Sequence, residues 1–253
     1  MHLCNLNSIV NLMKLPKIKK YQKKFNYSYV FGAYPSLDLF KYRRKDVLRV
    51  VFHSEGVGAE GISELRELCK LHEISNEVND KLISKIAVKK NTYVVTFFQK
   101  YETDLSDTAN HLILYSPRNM GNLGTIIRTM VGFGIEDLAI IRPGADIFDP
   151  KVTRSTMGAL FKIRFKYFDS FSEYIQKYSR HKKYLFMLDG EKEIDDVSFE
   201  PPFSLVMGNE SSGLPEESKQ YGETVFIPHS DAIDSLNLSV ATGIALYYAK
   251  NTE

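Results

Sequence analysis

The sequence predicts an α/β protein built on a mostly parallel sheet, and three observations carry that prediction. Short apolar, β-branched runs recur at 111–116, 137–142, 183–188, 203–207 and 224–228. Between them lie segments with apolar residues at helical spacing, 122–133, 151–160, 170–180 and 236–250. Strands that alternate with helices in this way form a parallel sheet covered on both faces. The third observation is bulk composition: 253 residues, 43% of them hydrophobic, suffice for one large domain or two small ones with a real core.

Ahead of this alternation, residues 26–100 predict a smaller α/β unit. Pro35–Lys45 reads as a helix with proline in its first turn, and Val47–His53 as a strand. Ile62, Leu65, Leu68 and Leu71 share one helical face, and Tyr93–Phe98 is a second strand. The polar stretch Tyr101–Asn110 is expected to be a linker before the second unit at 111–253. No apolar run approaches the roughly 20 residues that span a bilayer, so no membrane partner is expected. Cys4 and Cys69 cannot build a disulfide scaffold, which points to a reducing, cytoplasmic setting.

The net charge of +2 averages two unlike parts. Residues 1–45 hold ten basic side chains and one acidic one, Asp38, so the remaining 208 carry a balance of −7. Within the front, residues 1–25 contain Lys14, Lys17, Lys19, Lys20, Lys23 and Lys24 and no acid. The stretch lacks the apolar core and cleavage site of a secretory signal, and has no arginine as transit peptides usually do. It reads as a basic arm for a polyanion, with a solvated tail as the alternative.

Residues 56–61 spell Gly-Val-Gly-Ala-Glu-Gly, a literal G-x-G-x-x-G followed by Glu77. Such glycines let a backbone approach a pyrophosphate at a helix start. Here His53-Ser54-Glu55 separates them from the strand, and the unit is short for a dinucleotide-binding sheet. A plain glycine loop is expected.

Three segments of the second unit carry more specific chemistry. Asn122-Leu-Gly-Thr-Ile-Ile-Arg128-Thr opens a helix after the strand 111–116, with Asn122 a candidate cap. An arginine on a core-facing helix is costly unless paired, and Glu210 is a candidate partner for Arg128. Gly208-Asn-Glu210-Ser-Ser-Gly213-Leu follows an apolar strand, at the edge where ligands of open α/β sheets gather. Ile227-Pro-His-Ser-Asp-Ala-Ile-Asp-Ser235-Leu-Asn237 leads into the last helix, with Ser235 placed to cap it. Taken singly, these read equally well as an exposed arginine, a strand–turn–helix corner and a packed terminal helix.

Together, in this order, the segments resemble the three motifs of the SpoU/TrmH family of RNA ribose methyltransferases, in the SPOUT superfamily, over about residues 110–250. The resemblance implies a SPOUT-type parallel sheet with a C-terminal trefoil knot, which chain topology alone would disfavour. It also implies that the small α/β unit ahead of it binds RNA, a weaker likeness that rests on Val30-Phe-Gly-Ala-Tyr34 and the element order. The implied cofactor is S-adenosylmethionine, cradled by Met207, Gly208, Asn209, Gly213, Ile227, Pro228 and Leu236. The implied reaction is methyl transfer to a ribose 2′-hydroxyl of structured RNA, ribosomal RNA favoured over tRNA. Arg128 would hold phosphate and hydroxyl, with Asn122, Glu210, Ser235 and Asn237 orienting them. A homodimer is implied too, with the small-residue face of 236–250 as its candidate surface. The sequence departs from the pattern at His229 and Asp231, where Met and Gly are usual, which bears on the shape of the cofactor loop. The histidines show no metal-ligand spacing, so no metal is expected. A catalytically silent RNA-binding protein on the same scaffold is the alternative.

Overall fold

In the computed structural model, which describes residues 19–87 and 91–251, the chain forms two sheets. Lys14 and Lys17 of the basic arm lie outside the described residues. The first sheet has the order β1-β4-β2-β3, with β1 at Tyr27–Phe31, β2 at Val47–Phe52, β3 at Asn76–Val78 and β4 at Val94–Gln99. β4 is antiparallel to both β1 and β2, and β3 joins β2 in parallel. Helices α1 (Ala33–Arg43) and α2 (Ile62–Leu71) cover one face through Leu39, Phe40, Ile62 and Leu65; α3 (Asp80–Ile86) covers the other through Ile83 and Ile86.

Strand β1, helix α3 and the short edge strand β3 are absent from the pattern read in the sequence. In β1 the polar Ser28 interrupts the apolar run, yet it is fully buried and its hydroxyl donates to the Phe148 carbonyl at 2.6 Å. The glycine run 56–61 is a loop. A Cβ on Gly56 would lie 2.8 Å from the Tyr93 side chain, and Gly61 takes a left-handed φ of 76° just before α2.

The second sheet has seven strands, all neighbours parallel: β5 (His111–Tyr115), β6 (Asp137–Ile141), β7 (Arg164–Phe168), β8 (Lys182–Phe186), β9 (Lys192–Glu193), β10 (Phe203–Met207) and β11 (Glu223–Phe226). Their order is β7-β6-β5-β10-β8-β11-β9. The central strands are buried on both faces, which is why they read as continuous apolar runs. Leu112, Leu114, Leu138, Ile140, Leu205 and Met207 face α4 (Met120–Gly132), α5 (Pro150–Ser155) and α7 (Leu238–Asn251). The alternate residues Ile113, Ala139, Ile141 and Val206 pack against α6 (Phe171–Lys177) and its neighbours Tyr178 and Leu214. Edge strand β7, Arg-Phe-Lys-Tyr-Phe, was not expected, because an edge strand carries charge where a central one is apolar.

The helix expected over 151–160 stops at Ser155, and a 3-10 turn follows at Ala159–Lys162 after Gly158 at a φ of 93°. Gly124 permits the close crossing of α4 and α5, since a Cβ there would fall 2.4 Å from the Ser155 Cβ. The two sheets share one apolar core: the Phe98 ring meets Phe148 and Phe161 at centroid distances of 5.8 and 5.2 Å. Residues 101–110 join the sheets and lie along the N-terminal edge of the second. Leu105 is buried, Thr103 bonds to Phe165, and the Ser106 amide donates to Asp137 at 2.8 Å. No described helix is long and apolar enough to cross a membrane.

Candidate active site

The strand order reverses between β5 and β10: the chain leaves β5 toward β6 and β7, whereas β10 borders β8 on its other side. Ligands of open parallel sheets bind at such a reversal, beyond the carboxyl ends of the strands. Here the two strand ends are tied together. Ser116, just after β5, takes a φ of 50°, and its carbonyl accepts a 2.6 Å bond from the Asn209 side-chain amide. The Asn209 Oδ1 accepts from the Ser211 and Ser212 amides, and its backbone pairs with Gly213 in both directions at 3.0 Å. Gly213 has a φ of 65°, and a Cβ on Gly208 would lie 2.5 Å from the Gly213 carbonyl carbon. The sequence Gly-Asn-Glu-Ser-Ser-Gly is therefore a closed turn that only small residues permit, and it presents Glu210 at its tip.

Glu210 is held by the facing loop. Its carboxylate accepts from the amides of Asn119 at 3.0 Å and Arg118 at 3.1 Å, and from the Asn122 side chain at 3.4 Å. Burial alone would raise this carboxyl, but the Asn119, Arg118 and Asn122 donors outweigh it and hold its pKa below the usual value. The Asn122 Oδ1 in turn accepts a 3.4 Å bond from the Asn237 amide. Asn122, Glu210 and Asn237, from three separate segments, thus form one polar line.

Two capping assignments differ from expectation. α4 is capped by Asn119, whose Oδ1 accepts from the amides of Gly121 and Asn122. α7 begins at Leu238, later than expected, and Asn237 caps it by accepting from the Ser239 amide at 2.9 Å. Ser235 lies exposed ahead of the helix and makes no hydrogen bond among the described residues. The expected Arg128–Glu210 pair is also absent. Arg128 stands six residues beyond Asn122, about 120° away around the helix. It is exposed and has no hydrogen-bond or ion-pair partner among the described residues.

Two connected hollows adjoin this line. A cavity of about 390 Å³ is lined by Met207, Gly208, Asn209, Gly213, Ile227 and Leu236, with Leu214, Leu238 and Ala241 as further apolar wall. Pro228 does not line it, whereas His229 does, its Nδ1–H donating to the Ile227 carbonyl at 2.8 Å. Asp189, Glu210 and Glu216 reach the same wall, and Lys219 is ion-paired with both Asp189 and Glu216. A more open cleft of about 540 Å³ is lined by Arg118, Asn119, Asn122, Glu210, Ser235 and Asn237. Glu210, Ser211, Ser235, Leu236 and Leu238 belong to both. Arg118 and Asn119 were not foreseen as site residues, although their place directly after a strand was a readable signal. No group of described residues is arranged to hold a metal ion.

Residues 109–247 match the model of the SpoU rRNA Methylase family. The chain belongs to that family. It is 33% identical over 146 residues to a putative tRNA (cytidine(34)-2′-O)-methyltransferase of Listeria innocua, spanning 55% of this chain and 86% of that one. It is 32% identical over 149 residues to the 23S rRNA (guanosine-2′-O-)-methyltransferase RlmB of Acinetobacter baylyi, spanning 57% and 60% of the two chains. Among solved structures, the AdoMet-bound rRNA methyltransferase of Sinorhizobium meliloti superposes with a TM-score of 0.77 at 27% identity, covering 89% of this chain and 87% of its own.

Proposed function

We propose that this SpoU-family chain is an S-adenosylmethionine-dependent methyltransferase acting on a ribose 2′-hydroxyl of structured RNA. The observation that carries the reading is the pair of joined hollows: a partly apolar cavity continuous with a more open polar cleft through shared walls at Glu210 and Ser235. The cavity fits the cofactor's chemistry. Its partly apolar lining suits the cofactor's apolar body and the Glu210 carboxylate suits its positive charge, while Asp189 and Glu216 are already ion-paired with Lys219. Met207, Gly208, Asn209, Gly213, Ile227 and Leu236 would hold it; the Asn209 side chain serves by fixing the turn, since its own hydrogen bonds are already used.

When bound, the cofactor supplies an already electrophilic methyl group. The chain's task is then to hold the incoming hydroxyl in line with that methyl group, the hydroxyl proton passing to solvent water. Glu210 fixes the 118–122 loop against the turn, and Asn122, Ser235 and Asn237 point the cleft's polar groups at the ribose. Arg128, whose guanidinium offers donors and no acceptor, would bind phosphate and stabilise developing alkoxide charge rather than act as a base.

Arg128 lies off its own cleft, and the reading accounts for this by a homodimer. Arg128 is exposed on α4, and α7, which packs on α4 with Phe133 against Tyr247, exposes Val240 and Tyr247. A second copy on this face would bring one copy's Arg128 toward the other's cleft. The reading further implies a trefoil knot in the C-terminal region. Gly190 packed on the Val225–Phe226 backbone and Gly222 on the Lys183 carbonyl support so tight a chain crossing. Residues 26–100 would be the RNA-binding unit, ribosomal RNA is favoured over tRNA, and the setting is cytoplasmic.

Calorimetry with S-adenosylmethionine, paired with transfer of labelled methyl groups to total RNA and mapping of 2′-O-methylated positions, tests the reading. Cofactor binding and a mapped 2′-O-methyl are expected; no cofactor binding would leave the silent RNA-binding protein. Arg128→Ala is expected to lower transfer about 10²–10³-fold or more while cofactor affinity stays within a few-fold. Wild-type turnover by that variant would remove Arg128 from the reaction.

A further inference from the structure

We propose that Lys19, Lys20, Lys23 and Lys24 form a fixed phosphate-binding strip that leads an RNA strand into the catalytic cleft. The inference rests on the methyltransferase reading and adds where the RNA backbone runs.

The strip is held by its aromatic residues. Tyr21 and Phe25 are half-buried while all four lysines are exposed. Phe25 stacks on Tyr27 at 5.1 Å, and the Tyr21 amide donates to the Tyr29 hydroxyl at 3.2 Å. The Tyr21 hydroxyl donates to Asp146, a residue of the other sheet's unit. Lys100 closes the joint: its ammonium lies 3.5 Å from Asp146, 4.7 Å from the Tyr21 ring centroid, and donates to the Lys23 carbonyl at 2.9 Å. The backbone carrying the four lysines is thereby pinned at the seam between the two units.

The pin stands beside the cleft. Asp146 belongs to the loop after β6, where the Ala145 amide donates to the Pro117 carbonyl at 2.7 Å and Gly144 packs on the Pro117 ring. Pro117 is followed directly by Arg118 and Asn119, which line the cleft. A continuous run of contacts therefore joins the strip to the cleft rim.

The lysines are also uncompensated. Among the described residues none of their four ammonium groups has an ion-pair or hydrogen-bond partner. Lys166, Lys177, Lys182 and Lys219 by contrast are each ion-paired with a carboxylate. Exposed, unpaired ammonium groups on a pinned backbone suit a flexible chain of regularly spaced phosphates, whose bound counterions they would release.

Binding of labelled total RNA, followed between about 50 and 200 mM salt, tests this with two quadruple variants of equal charge change. Lys19→Ala/Lys20→Ala/Lys23→Ala/Lys24→Ala is expected to lower the magnitude of the salt slope by roughly 3, near 0.7–0.9 per phosphate contact, with S-adenosylmethionine affinity unchanged by calorimetry. Lys166→Ala/Lys177→Ala/Lys182→Ala/Lys219→Ala is expected to leave the slope within about 1 of wild type. Equal slope losses in both variants would make the effect one of net charge and overturn the strip. An unchanged slope in the first variant would overturn it too, including where that variant loses binding to phosphatidylglycerol vesicles, which would mark a membrane-facing arm. In either case a wild-type chain that still methylates RNA leaves the parent reading standing, whereas one that neither binds the cofactor nor transfers methyl removes both.

Discussion

At the N-terminal edge of the seven-stranded sheet, His111, His181, Tyr174 and Ser204 form a closed polar network. The Tyr174 hydroxyl lies 2.7 Å from both His111 Nδ1 and Ser204 Oγ, and His181 Nδ1 lies 3.0 Å from the same Ser204 oxygen. The remaining ring nitrogens donate to the carbonyls of Ser106 and Asp107 in the segment that covers this edge. At the C-terminal edge, Asn122, Glu210 and Asn237 also form a line of hydrogen bonds, but it opens on the cleft, where Ser235 has no hydrogen-bond partner among the described residues. Both edges carry polar and ionisable groups on the same sheet. What separates them is the cover: 103–110 seals one end, and the loops 117–119, 209–213 and 229–237 leave the other open. A sealed network contributes to stability because each member is costly to orphan. An open one keeps bonding capacity for a ligand.

The contrast is sharpest at Glu210. Glu210→Ala removes the acceptor shared by the Arg118 and Asn119 amides and the Asn122 side chain. These groups face water, so the expected loss of stability is about 1 kcal/mol. The loop carrying them loses its anchor, and misplacement by even about 1 Å lowers a positioned reaction roughly 10²-fold. Methyl transfer to total RNA should fall by at least that factor while the denaturation midpoint hardly moves. A large drop in the midpoint with normal specific activity would make Glu210 a second structural network and break the contrast.

The sealed edge predicts the reverse, a pH-dependent stability. Burial and the neighbouring His181 push the His111 pKa down to about 4, and burial lowers His181 as well. Between there and the ordinary value near 6.5 the unfolded chain binds more protons than the folded one. Stability therefore rises with pH through that window and is lost as pH falls from about 6.5 toward 4, by on the order of 2 kcal/mol for His111. Denaturant unfolding at about pH 7 and about pH 5 checks it, and His111→Gln should flatten the difference. Equal stability at both pH values would mean that the network accepts protons as readily folded as unfolded.

The two edges were also unequally legible in the sequence. The open edge was legible because its three segments, each ordinary when taken singly, resemble the motifs of one family when taken together and in order. Contacts within it were harder to read. The Arg128–Glu210 pair was inferred from charge, but helical phase turns Arg128 away, and the carboxylate is taken by backbone amides that carry no sequence signal. Arg118 and Asn119 become site residues only because Glu210, about 90 positions later, folds back onto them. The sealed edge was hidden because Tyr101–Asn110 is polar and short, the usual look of a linker. Its backbone carbonyls nevertheless hold both histidines, and no residue type reports that.

The smallest expected effect separates the two roles within the open edge itself. Asn237 both lines the cleft and caps α7, so Asn237→Ala mixes a cap loss of about 1 kcal/mol with any loss of catalysis. Ser235 lines the cavity and the cleft but bonds to nothing described. Ser235→Ala should therefore leave stability within about 0.5 kcal/mol of wild type. Loss of one hydrogen bond to a bound ligand would still lower transfer by roughly tenfold. Paired denaturation and turnover measurements read the two effects separately. A shifted midpoint would place Ser235 among the residues that shape the loop, and unchanged turnover would show that the open edge can spare the Ser235 hydroxyl.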